Sequence, residues 1–189
     1  MYKELNRFLD EHIASAQKFR ASLPDLENII NAVNNTFKSG GKLLICGNGG
    51  SAADAQHMAA EFIVRFKINR HAMPAVALTT DSSILTAGGN DLGFDEIFSR
   101  QVEAIGSSDD MLIMFSTSGN SRNLLLAAET AAKKNIYTLA FLGKTGGELK
   151  DKVNKSIIVQ SHDTARIQEM HSFIMHCICE ITEKEASGA

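Results

Sequence analysis

Apolar positions recur along this chain in two alternating rhythms: short unbroken runs, and longer stripes at three- and four-residue spacing. Two helical stripes come first, predicted over Met1–Ser22 and Pro24–Ser39. In the second, Leu26, Ile29, Ile30, Val33 and Phe37 fall on one face. Pro24 suits a first helical turn, and Gly40–Gly41 stops the helix. Five apolar runs then predict strands at Lys42–Cys46, Ala75–Leu78, Met111–Phe115, Ile136–Phe141 and Ser156–Val159. Helical patterns follow them at Ala52–Phe66, Ser82–Ala87, Phe94–Ile105, Ser121–Lys134 and Asp163–Lys184. Near-continuous apolar strands alternating with helices argue for a parallel sheet covered on both faces. Five such strands predict a doubly wound, flavodoxin-like three-layer α/β sandwich, with ligands beyond the carboxyl ends of the strands. The chain of 189 residues shows no repeat or linker. It reads as one domain, 1–189, with residues 1–40 as an N-terminal helical extension.

That extension carries Lys3, Arg7, Lys18 and Arg20 on what is most simply a solvated face. Leu5, Phe8, Leu9 and Phe19 leave apolar surface as well, and this predicts packing against another subunit. The composition, 44% hydrophobic and 22% charged, is that of a globular protein. A net charge of −3 gives no electrostatic reason to expect nucleic acid or an acidic membrane as a partner. No apolar run reaches the roughly 18 residues of a membrane span, and the charged stretch MYKELNRFLDEH is not a secretory signal. Cys46, Cys177 and Cys179 lack metal or redox spacing, so they read as reduced thiols of a cytoplasmic protein. Met170, Phe173, Ile174 and Cys177 read as a helical core stripe.

Chemistry concentrates in Lys42–Phe66, which reads as a strand, a glycine-rich turn and a helix carrying His57 and Glu61. The turn offers backbone N–H groups to an anion at a helix N-terminus. Residues four apart share a helix face, so the imidazole and the carboxylate project together. Alone, such a pair is more often a helix-surface hydrogen bond; following a phosphate-type loop, it reads as a site. Gly47–Ala52 also satisfies GxGxxA, but no acidic residue stands about 20 positions on, since Asp81 comes too late. The Walker pattern is absent.

A second loop, Ser116–Thr117–Ser118–Gly119–Asn120–Ser121, follows a strand and opens a helix. Four hydroxyls around one glycine would bind phosphate by hydrogen bonds and the helix dipole, without a lysine. The plainer reading makes Ser121 an ordinary helix N-cap. A third loop, Gly143–Gly147, reads as a plain turn.

CGNGGS (46–51) and STSGNS (116–121), in this order of strands and helices, resemble the SIS (sugar isomerase) domain, a family that binds phosphosugars. NDLGFDEIFSRQVEAIG (90–106) and ARIQEMHSFIMH (165–176) extend the resemblance, over nearly the whole chain, to its sedoheptulose 7-phosphate isomerase branch. The resemblance implies that Ser116, Thr117, Ser118 and Ser121 hold the sugar phosphate. It implies Asn48, Gly49, Gly50, Ser51, Asn90, Asp91 and Gln168, with Glu61, for the hydroxylated chain. A phosphorylated seven-carbon sugar is the implied substrate, its heptose product destined for lipopolysaccharide or capsule, and a homotetramer is the implied assembly.

Interconverting a ketose and an aldose moves a proton between C1 and C2 through an enediol. One group must take the carbon-bound proton and another must supply one to oxygen. The resemblance matches Glu61 to the base and His176 to the acid. It also matches His57, Glu61, Gln168 and His176 to the ligands of one zinc ion per subunit, though glutamine is an uncommon ligand. The two roles compete, because a cation holds the lone pairs that a base needs. Gln168 and His176, eight apart, are separated by roughly 12 Å along one helix, so a site at a subunit contact is expected. Arg65 reads equally as an ion-pair partner of Glu61 or a substrate contact; His171 reads as packing or support behind the site. Ala165 stands where these isomerases often carry an acidic residue. The alternative is a non-enzymatic SIS relative that binds the replication initiator DnaA; it shares SAA and ARIQEMH but lacks the Glu61–His176 pair. A phosphosugar sensor without turnover is a third reading, and the same pair argues against it.

Overall fold

A computed structural model describes residues 1–188. Helices α1 (Tyr2–Phe19) and α2 (Leu23–Lys38) are joined by a 3-10 turn at Arg20–Ser22. There follow β1 (Leu43–Gly47), α3 (Gly50–Ile63), β2 (Ala75–Ala77), α4 (Ser82–Asp91), α5 (Ser99–Ile105) and β3 (Met111–Ser116). The chain ends with α6 (Arg122–Lys133), β4 (Tyr137–Gly143), β5 (Lys155–Val159) and α7 (Thr164–Ser187). The five strands form one sheet in the order β2-β1-β3-β4-β5, every pairing parallel. This is the predicted flavodoxin-like topology.

Strand alternation sorts the core into two layers. Leu43, Ile45, Met111, Ile113, Phe115, Leu139 and Phe141 face α2, α3 and α7. Leu44, Cys46, Leu112, Met114, Ala140 and Leu142 face α5 and α6. Burial on both faces is why these strands read as unbroken apolar runs.

Several boundaries differ from the periodicity. The helix expected to reach Phe66 ends at Ile63. There Arg70 donates from Nη2 to the Glu61 carbonyl (2.8 Å) and from Nη1 to the Phe62 carbonyl (2.8 Å), taking acceptors that another turn would use. The helix expected at Ser82–Ala87 runs on through Gly88 and Gly89 to Asp91, started by an Asp81 cap that accepts from the Ile84 N–H at 2.9 Å. The pattern at Phe94–Ile105 divides into a 3-10 turn at Phe94–Glu96 and α5. Phe19, grouped with the exposed apolar face of α1, is turned inward and buried. Phe173, grouped with the core stripe of α7, is 48% exposed. Leu5, Phe8 and Leu9 are exposed, as expected.

Candidate active site

Strands β1 and β3 are neighbours, yet the helices they feed lie on opposite faces of the sheet. Ala55 and Met58 of α3 pack in one core layer, while Leu124 and Leu125 of α6 pack in the other. The chain therefore parts at the carboxyl ends of β1 and β3 and leaves a crevice between them. Residues 48–51 and 116–121 both lie there, and Gly47 pairs with Phe115 in register.

The serine loop is rigidly made. Ser116 Oγ accepts from the Gly119 N–H (3.0 Å), and Ser118 Oγ accepts from the Asn120 N–H (3.2 Å). Gly119 has φ +69°, and a Cβ there would stand 1.8 Å from the Gly146 carbonyl oxygen. Leu149 N–H donates to the Gly119 carbonyl, and Glu148 N–H to Asn120 Oδ1, both at 2.9 Å. Gly143–Gly147 forms a turn as expected, and Gly146 with the following Glu148 and Leu149 braces the serine loop from behind. Ser121 occupies the N-cap of α6 but makes no side-chain cap hydrogen bond, so the plain capping role is unfilled. The first-turn N–H groups of α6 and the loop hydroxyls give this corner the donors an anion needs.

Asn48 and Asn123 join the two loops with a reciprocal carboxamide pair, the hydrogen bonds measuring 3.0 and 2.9 Å. Asn123, buried in the first turn of α6, was not singled out from the sequence. Its only signal was an asparagine where an apolar helix begins.

The acid–base candidates meet on a second wall, where α3 packs on α7. His57 Nε2 is 3.0 Å from Glu61 Oε1, and ligand atoms of His57, Glu61 and His176 all lie within 4.8 Å of one another. The His57 and His176 rings meet edge to face with centroids 5.0 Å apart. All three groups come from one chain. Phe66 stacks on His176, with centroids 5.3 Å apart and planes inclined by 23°. Burial and then the neighbouring His57 hold the His176 imidazole below its ordinary pKa, against the pull of Glu61.

Asp54, one turn before His57, receives a hydrogen bond from Ser172 Oγ at 2.9 Å and so ties α3 to α7 beside the cluster. Burial raises its pKa, while Ser172 and the two histidines oppose that rise. Its second carboxylate oxygen is buried without a partner. This residue too was missed, although SAADAQH places it at helical spacing from His57.

Other candidates are placed apart. Gln168 lies against Gly50, where an added Cβ would sit 2.6 Å from its Nε2; this is the start of α3, two turns before His57. Asn90 and Asp91 end α4 on the surface, Asn90 Nδ2 donating to Asp91 Oδ1 at 2.7 Å. Arg65 lies beyond the end of α3, and Glu61 pairs with His57 instead. His171 is wholly buried, its Nε2 3.2 Å from the Leu142 carbonyl, and burial lowers its pKa to about 4. It seats α7 on the sheet. Five surface cavities of about 310–610 Å³ lie elsewhere, and none is lined by His57, Glu61 or His176. In a single chain the cluster stands on an open face.

For a metal, two imidazoles and one carboxylate are suitable donors. Three such ligands with an open fourth position match the pattern of catalytic zinc sites. The donor set fits: donors about 2.1 Å from a tetrahedral ion stand roughly 3.4 Å from one another, so atoms that already lie within 4.8 Å of one another need only modest closure.

The SIS domain description matches residues 7–143. A phosphoheptose isomerase of Citrifermentans bemidjiense is 50% identical over 186 residues, covering 98% of this chain and 97% of that protein. One from Akkermansia muciniphila is 49% identical, covering 93% and 94%. The structure of a phosphoheptose isomerase from Francisella tularensis superposes with a TM-score of 0.94 at 35% identity, covering 97% of this chain and 98% of that one. Phosphoheptose isomerase GmhA of Neisseria gonorrhoeae gives 0.92 at 37% identity, with the same coverage. With the sheet order, the paired loops and the two-helix cluster, these likenesses place the chain among the phosphoheptose isomerases, enzymes of the SIS domain family.

Proposed function

We propose that this isomerase interconverts D-sedoheptulose 7-phosphate and D-glycero-D-manno-heptose 7-phosphate through an enediol, with Glu61 and His176 moving the protons. The observation that carries the assignment is the meeting of Glu61, His57 and His176 across α3 and α7. Ser116, Thr117, Ser118 and Ser121 take the phosphate beside the α6 N-terminus, anchoring one end of the sugar. Asn48 to Ser51 line the path toward α3; Gln168, packed on Gly50, closes it from the α7 side. Glu61 takes the carbon-bound proton, and its hydrogen bond to His57 orients the carboxylate. His176, neutral near pH 7 because of its depressed pKa, offers an N–H to the carbonyl oxygen as charge develops there. Asn90 and Asp91 end a surface helix and reach the substrate only if the assembled oligomer or a loop movement brings them to it.

His57, Glu61 and His176 would hold a zinc ion, with Gln168 joining them only after leaving Gly50. When bound, the ion would supply Lewis-acid polarisation of the substrate carbonyl. The exposed α1 face of Tyr2, Leu5, Leu9 and Ile13 supports a homo-oligomer, which we take as a tetramer working in the cytoplasm. An active monomer at assay concentration, seen by sedimentation, would remove that part. No helix is long and apolar enough to cross a membrane. The DnaA-binding alternative is not favoured, since the catalytic pair is present and assembled.

The test is turnover of sedoheptulose 7-phosphate, with and without prior chelation. Glu61→Gln is expected to lower kcat at least a hundredfold, and His176→Ala to lower it with substrate binding retained. Intact turnover by Glu61→Gln sinks the mechanism. A chelated enzyme at full rate would exclude the Lewis-acid contribution and leave the pair in place.

A further inference from the structure

Glu183 lies seven residues beyond His176 on α7, on the same side two turns away. It is wholly buried, yet it serves no part of the acid–base cluster. Its carboxylate accepts three consecutive backbone N–H groups: Phe66 at 2.8 Å, Lys67 at 2.6 Å and Ile68 at 2.9 Å. Arg70 Nε stands 3.2 Å from the same carboxylate without hydrogen-bond alignment. The other Arg70 nitrogens close the end of α3 through the Glu61 and Phe62 carbonyls. Residues 66–70 form neither helix nor strand, but they are pinned to α7 by one buried charge and to α3 by its partner. The ring delivered by this bracket is Phe66, which lies over the His176 imidazole while the His57 ring meets it edge-on. A carboxylate satisfied by a loop's amides fixes that loop's position more tightly than apolar packing alone would, because each hydrogen bond is directional.

We propose that Phe66 is a positioning residue of the isomerase: held by the Glu183–Arg70 bracket, it fixes the rotamer of His176 so that the imidazole meets the substrate oxygen. This rests on the acid role assigned to His176 above. Phe66 touches no reacting atom and acts only through that ring. A flat partner at stacking distance holds the imidazole to one plane; a branched aliphatic one permits several.

Phe66→Leu is the test, with sedoheptulose 7-phosphate as substrate. It is expected to lower kcat about tenfold or more, leave KM within about twofold, and leave the thermal midpoint near that of the parent protein. Phe66→Tyr, which keeps the plane, restores the rate. In a His176→Ala background, followed in single turnovers with enzyme in excess, Phe66→Leu changes the rate by less than about twofold, as coupled residues require. Imidazole-selective NMR gives a second readout: one sharp set of His176 signals in the parent and the Tyr variant, broadened or doubled signals in the Leu variant. A parental kcat in Phe66→Leu, an undiminished tenfold loss without His176, or a single sharp His176 set in the Leu variant overturns the proposal. Unchanged turnover in His176→Ala instead overturns the acid assignment, and the two failures are read from different proteins.

Discussion

The serine loop after β3 and the histidine–glutamate cluster between α3 and α7, which the proposed function assigns to one site, are held by different forces. The loop is a backbone object. Its shape is set by Ser116 and Ser118 hydroxyls accepting from its own amides, and by the Gly146 carbonyl where a side chain on Gly119 would have to be. The cluster is a side-chain object on a surface that is open in the single chain. His57 is largely exposed, and His176 keeps its place through Phe66, His57 and the seating of α7. Phosphate binding needs fixed donors and little else, so close-packed backbone serves it. Proton transfer needs side chains whose distances tighten around the substrate, and that leaves their placement dependent on distant supports.

The contrast can be broken most directly at Gly119. Gly119→Ala meets both a positive φ and the Gly146 carbonyl, so it is expected to destabilise the fold by about 4 kcal/mol. Gly49→Ala, at φ +58° with nothing within 4 Å of the new Cβ, should cost about 2 kcal/mol or less. Urea midpoints of the two variants measure the difference. Equal losses would mean that close packing does not set the serine loop.

His171 tests how firmly α7 is seated. Its pKa falls from the ordinary 6.5 to about 4 because burial disfavours the charged ring. The folded state therefore binds fewer protons than the unfolded one as the pH drops below 6.5. Stability is lost between about pH 6.5 and pH 4, by roughly 3 kcal/mol in all. His171→Gln should flatten that part of a stability–pH curve. An equally steep curve in the variant would assign the acid sensitivity to other groups.

The smallest effect belongs to the seam between the loops. Asn123→Ala frees the Asn48 carboxamide and is expected to cost about 1–2 kcal/mol. It should raise KM for the sugar phosphate several-fold with kcat little changed, since it loosens the binding half and leaves the proton-transfer half alone. A fall in kcat at constant KM, in steady-state kinetics, would show that the two halves are not separable in this way.

Much of this was legible in the residues. The three central strands β1, β3 and β4 were visible because they are buried on both faces and so carry unbroken apolar runs, while the edge strands β2 and β5 are covered less completely. The serine loop stood out because its small hydroxylated residues lie next to one another at the start of a helix, the pattern the proposed phosphate corner calls for. His57 and Glu61 were visible because helix geometry alone makes them neighbours. Phe66 was misread as helical, since periodicity carries no trace of Arg70 reaching back to the last carbonyls of α3. Glu183 carries no spacing signal that sets it apart in the sequence, and Phe173 passed for core because its spacing fits while the surface it faces lies open.

Local order, then, was written into the chain itself: strand and helix periods, glycine turns, and pairs one helical turn apart. These depend on contacts between near neighbours, which the backbone's few allowed conformations fix in advance. Tertiary structure alone decided which distant groups meet. Asn48 finds Asn123 across 75 positions, Asp54 finds Ser172 across 118, and the Phe66 amide finds Glu183 across 117. Such encounters follow from how α3, α6 and α7 close over the sheet, and no spacing along the sequence encodes a distance that exists only after that closure.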